Sequence, residues 1–327
     1  MRAFLLAIFT CALASTGWAA PILNAAYPDF SLVALGSLQG VPASYLYAGL
    51  GFNGSSLLLS GGDPTAASPP GFQAIYSIQA DRDVNGMITG FTGTASQYAS
   101  VQVTTVTFNN QLVAGNLMAG GLVYAPDGTL LYTTASQSYI GQYSPSASTS
   151  SLTSVGSTPL GSIGYLPNGQ LVLTSTNGTW YSVTLGNPDA NGIYQNVTVG
   201  AALNNVNAPA DSFANVPGGL AQEVPNTSVL VGDTNSQALY LYGLDGNGNP
   251  TGVGSQVVNG NGEAVGYGLV RDPLHPNSYL FTTGNNDIWM LTEATPEPSG
   301  VLLALGGLAV LAAWRRKCVG LTASRDR

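Results

Sequence analysis

The stretch that decides the fold is residues 120–134, GGLVYAPDGTLLYTT, in which two short β-rich runs flank the turn Pro126-Asp127-Gly128. The same plan returns at residues 162–175, SIGYLPNGQLVLTS, where Pro167 follows Pro126 by 41 residues. Two further stretches repeat it more loosely: residues 218–233 and residues 267–284. A proline and an Asx residue between two such runs are typical of a hairpin turn. The repetition therefore predicts one antiparallel unit that recurs along the chain.

The size of this unit predicts the architecture. A third β-rich run follows in three of the units, at residues 178–183, 237–242 and 286–291. A four-stranded antiparallel sheet uses about 40 residues and cannot bury both faces alone, whereas sheets arranged radially around an axis cover one another. We therefore expect an all-β body, a single β-propeller at residues 20–294. A body of about 275 residues, divided into units of about 42, predicts six or seven blades; a pair of β-sandwiches is the alternative.

The charge of the body excludes one class of partner. Only 7% of the chain is charged, and residues 20–294 contain two cations, Arg82 and Arg271, against fourteen acids. The net charge of the body is −12, compared with −8 for the whole chain. Affinity for nucleic acid depends on Lys and Arg that neutralise phosphates, so we predict that the protein binds no nucleic acid. The many Tyr, Val and Leu residues predict a buried core instead of disorder.

The blades have a specific likeness to known proteins. The order of glycine, a short strand, a Pro-Asp-Gly turn and a second strand resembles the blades of NHL-repeat and gluconolactonase-like β-propellers. The resemblance covers residues 120–291. It implies blades arranged around a central channel and, for the lactonase members, carboxylate and amide oxygens around a central calcium ion. Four acidic residues are candidates for such a site: Asp211, Glu223, Asp233 and Glu263.

The N-terminus has the order of a secretory signal peptide. Arg2 precedes the apolar run 3–13, and the small residues Gly17 and Ala19 favour cleavage after Ala19. Residues 1–19 are therefore predicted to be a signal peptide, with an uncleaved anchor as the alternative. Both cysteines, Cys11 and Cys318, lie outside the body, so we expect a secreted domain without disulfides.

The C-terminus ends in a short apolar run followed by cations. Residues 301–314 contain no charged side chain, and Arg315, Arg316 and Lys317 follow directly. Fourteen residues are short for a span of about 20, but snorkelling of the three cations permits a tilted transmembrane helix. Cations beside a span stay cytoplasmic, which places the body on the other side of the membrane. A buried C-terminal helix is the alternative.

The triplet Pro296, Glu297 and Pro298 precedes this run and gives the tail a recognisable pattern. Residues 295–327, with the triplet, the apolar helix and the basic cluster, resemble the PEP-CTERM sorting signal of Gram-negative bacteria. The resemblance implies recognition by an exosortase, a membrane-embedded enzyme, processing near the triplet, and delivery to the cell surface or an exopolysaccharide-rich extracellular matrix. The ten residues after Lys317 are longer than such tails usually are. The match assigns no activity to the body.

One segment has the spacing of a calcium loop. Residues 81–86, DRDVNG, place Asp81, Asp83 and Asn85 at alternating positions before a glycine, the order in which oxygen ligands reach a hard cation. The twelfth position is Thr92 instead of the bidentate Glu of an EF-hand. Calcium binding at these three residues is one prediction, and a simple hairpin turn is the alternative.

No segment predicts a catalytic residue. His275 is the only histidine and lies between Pro273 and Pro276, so a histidine cluster is unavailable and a surface loop is expected. Several aromatic residues are candidates for stacking on sugar rings, with packing between blades as the alternative: Tyr139, Tyr143, Trp180, Tyr194 and Trp289.

The sequence therefore favours an exported, non-enzymatic interaction module that acts through the loops at one end of the blades. Its predicted partners are the exosortase and inner membrane during sorting and extracellular polysaccharide afterwards. The alternative is a calcium-dependent, lactonase-like or polysaccharide-processing enzyme with the same fold.

Overall fold

A computed structural model describes residues 20–63, 71–108, 111–114, 118–134, 138–156, 159–205, 210–217 and 227–293 of the 327-residue chain. The signal peptide at residues 1–19 and the sorting segment at residues 295–327 lie outside these ranges. The signal peptide and the sorting roles of six residues therefore stay predictions: Pro296, Glu297, Pro298, Arg315, Arg316 and Lys317. Across the described ranges the chain has no helix that is long and apolar enough to cross a membrane.

The described ranges contain strands and no α-helix, in agreement with the all-β prediction. In chain order the strands are β1 (Ile22–Leu23), β2 (Phe30–Gly36), β3 (Leu46–Asn53), β4 (Ser56–Gly62), β5 (Phe72–Arg82), β6 (Ile88–Phe91), β7 (Ser96–Gln102), β8 (Thr105–Phe108), β9 (Gln111–Ala114), β10 (Met118–Tyr124), β11 (Leu130–Thr134) and β12 (Tyr139–Ser144). They continue with β13 (Thr149–Ser154), β14 (Leu160–Tyr165), β15 (Leu171–Ser175), β16 (Thr179–Thr184), β17 (Thr198–Asn205), β18 (Ser212–Pro217), β19 (Thr227–Asp233), β20 (Ala238–Leu244), β21 (Pro250–Asn259), β22 (Val265–Arg271), β23 (Ser278–Thr283) and β24 (Ile288–Glu293).

Twenty of these strands form five four-stranded antiparallel units, the blades of a β-propeller. A parallel pairing of β10 with β3, at Gly121 and Leu50, joins two of the units into one larger sheet. Blade 1 consists of β3, β4, β5 and β7, blade 2 of β10 to β13, blade 3 of β14 to β17, and blade 4 of β18 to β21. Blade 5 combines β22, β23 and β24 with β2 from the other end of the chain. Strand β1 extends the edge of blade 4, β6 pairs with the end of β5, and β8 with β9 forms a separate hairpin.

The described residues form five such units, so the predicted count of six or seven blades is not confirmed. The 41-residue offset holds between the turns of blades 2 and 3, whereas the other units are longer. Blade 1 and the added hairpins β5–β6 and β8–β9 account for the described strands between Leu46 and Ala114. The first strand of blade 4 is Ser212–Pro217. Residues 218–226, the first part of the repeat at residues 218–233, lie outside the described ranges.

The ring is closed by its innermost strands. Neighbouring inner strands contact one another in the order β3, β10, β14, β18 and β22, and β22 returns to β3. Apolar side chains from each pair of adjacent blades form a separate cluster, one at each of the five seams. The core is therefore a ring of five interfaces, as expected when each sheet depends on its neighbours for burial.

Buried hydroxyl groups add hydrogen bonds across three of these seams. Thr133, Thr174 and Thr282 occupy the same place on the second strand of blades 2, 3 and 5. Their Oγ1 atoms donate to backbone carbonyl oxygens of the next blade, at Gly161 (2.7 Å), Ala210 (2.6 Å) and Ala48 (3.1 Å). Because β-branched Thr packs well on a pleated surface while its hydroxyl satisfies a buried carbonyl, it suits this position.

The propeller has two different ends. All five inner strands begin at one end, which we call the axial face: Leu46, Met118, Leu160, Ser212 and Val265. At the other end, the hairpin face, the inner strands turn back into the second strands. An inner strand of seven residues separates the two faces by about 20 Å. This polarity decides where a ligand site can form.

Candidate ligand site

A pocket of about 200 Å³ opens at the axial face, where the inner strands converge. Its lining is mostly apolar and comes from all five blades: Leu46, Tyr47, Ala48, Met118, Gly120, Leu160, Thr176, Asp211, Tyr267, Thr283, Gly284 and Asn286. Concave, largely apolar sites with a few convergent polar groups are the usual binding sites of small ligands. This axial pocket is therefore the candidate functional site.

The floor of the pocket exists because Gly120 has no side chain. A Cβ atom there would lie 1.7 Å from the carbonyl oxygen of Asp211 and 2.3 Å from that of Tyr267. Strands β10, β18 and β22 can approach one another this closely only at a glycine. The axial pocket is thus closed from below by backbone.

Asp211 supplies a carboxylate to the axial pocket. Its Oδ2 atom accepts hydrogen bonds from the backbone N–H of Thr234 (2.9 Å) and from Thr234 Oγ1 (2.6 Å). Burial raises the pKa of Asp211 above its ordinary value, although the bonds from Thr234 lower it in part and nearby Asp233 raises it further. Among the described residues no donor reaches Oδ1, so this oxygen is left to accept a bond from a ligand.

Tyr267 contributes an aromatic ring that is partly accessible. Its side chain is 37% exposed at the mouth of the axial pocket. Burial and then the charge of Asp211 raise the pKa of Tyr267, so the phenol stays protonated and can donate a hydrogen bond. The ring and the carboxylate therefore present one apolar surface and two polar groups to the same cavity.

Tyr47 and Asn286 join blade 1 to blade 5 at the pocket wall. The backbone N–H of Tyr47 donates to Asn286 Oδ1 (2.9 Å), and the Tyr47 hydroxyl accepts a bond from the N–H of Leu38 (2.9 Å). Asn286 has φ +63°, in the left-handed region, which Asn tolerates better than most residues. This conformation places its amide where it can meet a strand 239 positions away in sequence.

The predicted calcium ligands lie at the hairpin face, far from the axial pocket. Asp83 Oδ1 accepts the backbone N–H groups of Asn85 (2.8 Å) and Met87 (2.9 Å) in the turn between β5 and β6. The Thr92 hydroxyl donates to Asp81, and Asn85 is exposed. Calcium binding there stays a prediction, and a melting temperature that rises with calcium and falls with chelator, but not in Asp83→Asn, would support it.

Two other turns have the same Asp-x-Asn-Gly sequence and the same geometry. Asp189 Oδ1 accepts from Asn191 N and Ile193 N, and Asp245 Oδ1 accepts from Asn247 N and Asn249 N, at 2.9 to 3.0 Å. Self-contained bonds of this kind are typical of Asx turns. The turn at residues 81–86 therefore has the same hydrogen bonds as two other hairpin turns of the protein, which favours the interpretation of residues 81–86 as a hairpin turn.

The carboxylates proposed for a central calcium ion do not all meet. Asp211 lines the axial pocket, whereas Asp233 accepts bonds from Asn235 N (3.0 Å) and Ser236, and Glu263 Oε1 accepts from Asn285 N (2.9 Å). Glu223 lies outside the described residues. Within the described ranges no group of three or more His, Cys, Asp or Glu residues is placed to hold a metal ion.

The remaining sequence candidates fall in different places. His275 lies in the turn before β23, where its Nδ1 atom is 2.8 Å from Ser278 Oγ. Trp180 and Tyr143 are buried, and Trp180 packs against Phe213 at a ring centroid distance of 4.8 Å. Tyr194 is also buried, at 8% exposed, and lines a groove at the hairpin face.

Sequence reasoning missed Tyr47, Tyr267 and Asn286. One signal was present: Tyr267 occupies the position that Gly120 has in the repeat, so an aromatic ring replaces a glycine of the plan. Such a departure from a repeat marks a position with a separate role. The sequence around Tyr47 and around Asn286 contains no signal for a site, because the two residues meet only when the ring closes.

No family profile and no curated protein matches the chain. Similar solved structures include a glucose dehydrogenase (14% identity, 80% of this chain and 86% of that chain, TM-score 0.43). A protein named as a gluconolactonase has 12% identity, covers 83% of this chain and 97% of its own, and has a TM-score of 0.42. A catalytically inactive virginiamycin B lyase from Staphylococcus aureus has 11% identity, covers 80% of this chain and 99% of its own, and has a TM-score of 0.40. At these identities and TM-scores, no family, activity or substrate follows for this chain.

Proposed function

We propose that the protein is an exported β-propeller interaction module that binds a small neutral, hydroxyl-rich ligand, such as one sugar unit, in its axial pocket. The observation that carries this proposal is the joint placement of Tyr267, Asp211 and Asn286 around one small cavity. An exposed ring face packs against C–H groups, while carboxylate and amide oxygens accept bonds from hydroxyl groups. A sugar ring offers both kinds of surface.

The size and charge of the axial pocket support a small neutral ligand. A volume of about 200 Å³ is below the range of about 300–1,000 Å³ that drug-sized ligands occupy. Arg82 and Arg271, the cations of the described ranges, belong to the hairpin-face ends of β5 and β22. An anionic group beside Asp211 would therefore have no positive partner.

The proposed location is the cell surface or the extracellular matrix of a Gram-negative bacterium. The support is the signal-peptide pattern at residues 1–19 and the PEP-CTERM-like tail at residues 295–327. The chain would be held briefly in the inner membrane, processed by an exosortase, and released toward exopolysaccharide. The scarcity of cations in the body suits a module that meets neutral polymer.

Calorimetric titration of the purified exported protein with neutral mono- and oligosaccharides tests the pocket. Replacing a carboxylate that bonds a ligand hydroxyl costs about 1.5–3 kcal/mol, so Asp211→Asn should weaken binding at least about tenfold. Tyr267→Ala should weaken it by a smaller factor. Asp245→Asn, at the hairpin face, is the matched control and should bind as the parent does. Equal affinity of the parent and Asp211→Asn would refute the assignment of the axial pocket.

A further inference from the structure

Two neighbouring turns of the hairpin face each expose an aliphatic side chain. Val84, in the turn between β5 and β6, is 100% exposed, and Leu274, in the turn between β22 and β23, is 55% exposed. The turns are in contact, because a Cβ atom placed on Gly86 would lie 3.9 Å from the carbonyl oxygen of Leu274. We call these two turns, residues 83–87 and 272–277, the tip patch. Exposed apolar residues that lie together, instead of singly, are typical of an interaction surface.

The tip patch is held together by one buried ion pair. The Arg82 guanidinium donates to Gly86 O (2.6 Å) in its own turn and to both carboxylate oxygens of Asp272 (2.6 and 2.9 Å) in the other turn. Asp272 is fully buried, and its Oδ1 atom accepts the backbone N–H of Leu274 (3.0 Å). A bidentate contact between Arg and a carboxylate has a fixed geometry. The pair therefore fixes the two turns relative to each other.

The chain leaves the body beside the tip patch. The backbone N–H of Glu293, the last described residue, donates to Asn277 O (2.9 Å) at the end of the turn 272–277. Seven residues, 294–300, separate Glu293 from the apolar run 301–314. Seven residues reach at most about 25 Å. The exit therefore lies at the hairpin face, whereas the axial pocket opens at the other end of the inner strands.

The place of the exit determines which face of the body is nearest to the membrane when the tail is anchored. On the proposed anchoring of residues 301–314, the short connection keeps the exit close to the lipid headgroups, together with the tip patch next to it. Aliphatic side chains lose contact with water when they enter the boundary between headgroups and acyl chains, which is favourable. Val84 and Leu274 are placed to make this contact.

The charges around the tip patch select the kind of lipid. The carboxylates of Asp81, Asp83 and Glu293 belong to the patch or its borders. Arg82 is neutralised by its buried partner, so Arg271 is the cation of the described ranges that is left to offset them. Anionic headgroups repel such an excess of negative charge, whereas a zwitterionic surface does not. Zwitterionic lipid therefore fits the tip patch better than anionic lipid.

We propose that the tip patch is a membrane-contact surface, which rests on zwitterionic lipid while the tail is anchored. Val84 and Leu274 enter the headgroup region, and the axial pocket opens away from the membrane. The proposal rests on the tail anchoring that belongs to the proposed function, and it adds the orientation in which the anchored body presents its pocket.

Fluorescence quenching of the full chain, reconstituted in phosphatidylcholine vesicles, tests this orientation. An environment-sensitive dye is attached at Val84→Cys, in a background where Cys11→Ser and Cys318→Ser remove the native thiols. Phosphatidylcholine with a spin label near its headgroup should quench this dye at least about twofold, because interfacial side chains lie within about 5–10 Å of the headgroup boundary. The control is Asn235→Cys, an exposed position in the turn between β19 and β20 at the axial face. A dye at this position should be unaffected.

A second variant tests whether the aliphatic side chains make the contact. Leu274→Asp, combined with the dye at Val84→Cys, places a carboxylate on the tip patch and should reduce the quenching at least about twofold. Thr251→Asp adds the same charge at an exposed position of blade 4 and should leave the quenching unchanged. Vesicles that contain phosphatidylglycerol should also give weaker quenching. Unchanged quenching in Leu274→Asp, or stronger quenching with phosphatidylglycerol, would overturn the proposal.

Co-flotation of the chain with the vesicles separates this proposal from the anchoring of the tail. A chain that does not float with vesicles refutes both. A chain that floats but is quenched equally at Val84→Cys and Asn235→Cys refutes the tip patch alone. A dye at Val84→Cys that is shielded from aqueous iodide but not quenched by lipid would show that protein covers the patch, which also overturns the proposal. Sugar binding in the axial pocket is measured without vesicles and is independent of these outcomes.

Discussion

The hairpin face and the axial face of this propeller are stabilised in different ways. At the hairpin face, turns such as those of Asp83, Asp189 and Asp245 satisfy their polar groups within five residues. At the axial face, two residues that line the pocket find partners far along the chain: Asp211 bonds Thr234, and Tyr47 bonds Asn286. The hairpin turns can therefore form locally, while the axial pocket exists only after the ring has closed.

This difference also separates repetition from function. The hairpin face repeats a few turn types, and a groove of about 470 Å³ lies there beside Leu185 and Tyr194. The axial face brings together residues that the repeat does not share. Tyr267, which departs from the repeat, lines the axial pocket.

The largest effect is expected from filling the floor of the axial pocket. Gly120→Ala would place a methyl group 1.7 Å from a backbone carbonyl oxygen. Because backbone of three inner strands must move, we expect a loss of about 3 kcal/mol or more in the free energy of unfolding. Gly246→Ala, at the hairpin face, meets nothing within 4 Å and should change it by less than about 1 kcal/mol. Urea unfolding of both variants compares them, and equal stabilities would contradict the closed floor.

A buried ion pair gives the hairpin face a long-range contact of its own. Arg82 Nη1 and Nη2 lie 2.6 Å and 2.9 Å from the carboxylate of Asp272, which is fully buried. Asp272→Ala leaves a buried guanidinium without its partner, which costs about 3–5 kcal/mol. Arg271→Met, which removes an exposed bond to Pro276 O, is the control and should cost under about 1 kcal/mol. An Asp272→Ala variant as stable as this control in urea would show that the pair does not hold blades 1 and 5 together.

Breaking one local turn should have a moderate effect. Asp245→Ala removes two hydrogen bonds to backbone N–H groups, for a cost of about 1–2 kcal/mol in thermal unfolding. Asn247→Ala, in the same turn, removes no side-chain bond of the described structure and should be nearly neutral. Sugar binding in the axial pocket should be unchanged in both. A loss of binding in Asp245→Ala would indicate that the two faces are coupled.

The smallest effect is a change in the pH dependence of stability. The pKa of Asp211 is raised in the folded state, so the native protein binds this proton more tightly than the unfolded chain, whose Asp pKa is about 3.9. The contribution of Asp211 to the free energy of unfolding is therefore most favourable in acid. It falls as the pH rises from the unfolded pKa of about 3.9 through the higher pKa of the folded state. Asp211→Asn keeps an acceptor for Thr234 and should be more stable than the parent at pH 7. The difference in stability between Asp211→Asn and the parent should vanish in acid. Urea unfolding midpoints of both proteins, measured from acid to pH 7, test this.

The sequence predicted the parts of the fold that depend on local chemistry. The turns at Pro126-Asp127-Gly128 and Pro167-Asn168-Gly169 are present because proline, Asx and glycine specify a tight turn by themselves. The predicted blade count is not confirmed, because the hairpin β8–β9 and the loop 185–197 lengthen units without changing their turns. The axial pocket was not predictable, since residues such as Tyr47 and Tyr267 meet through closure of the ring.

Closure of the ring also determines how the body responds to mechanical load. The chain leaves blade 5 at Glu293, the end of β24, which lies between β23 and β2. Its pairing extends from Ile288 with Gly36 to Glu293 with Phe30. Antiparallel hydrogen bonds run perpendicular to the strands, so tension along β24 shears the bonds on both sides together instead of peeling them one at a time. A pull on residues 294–327 therefore meets the blade in its most resistant direction.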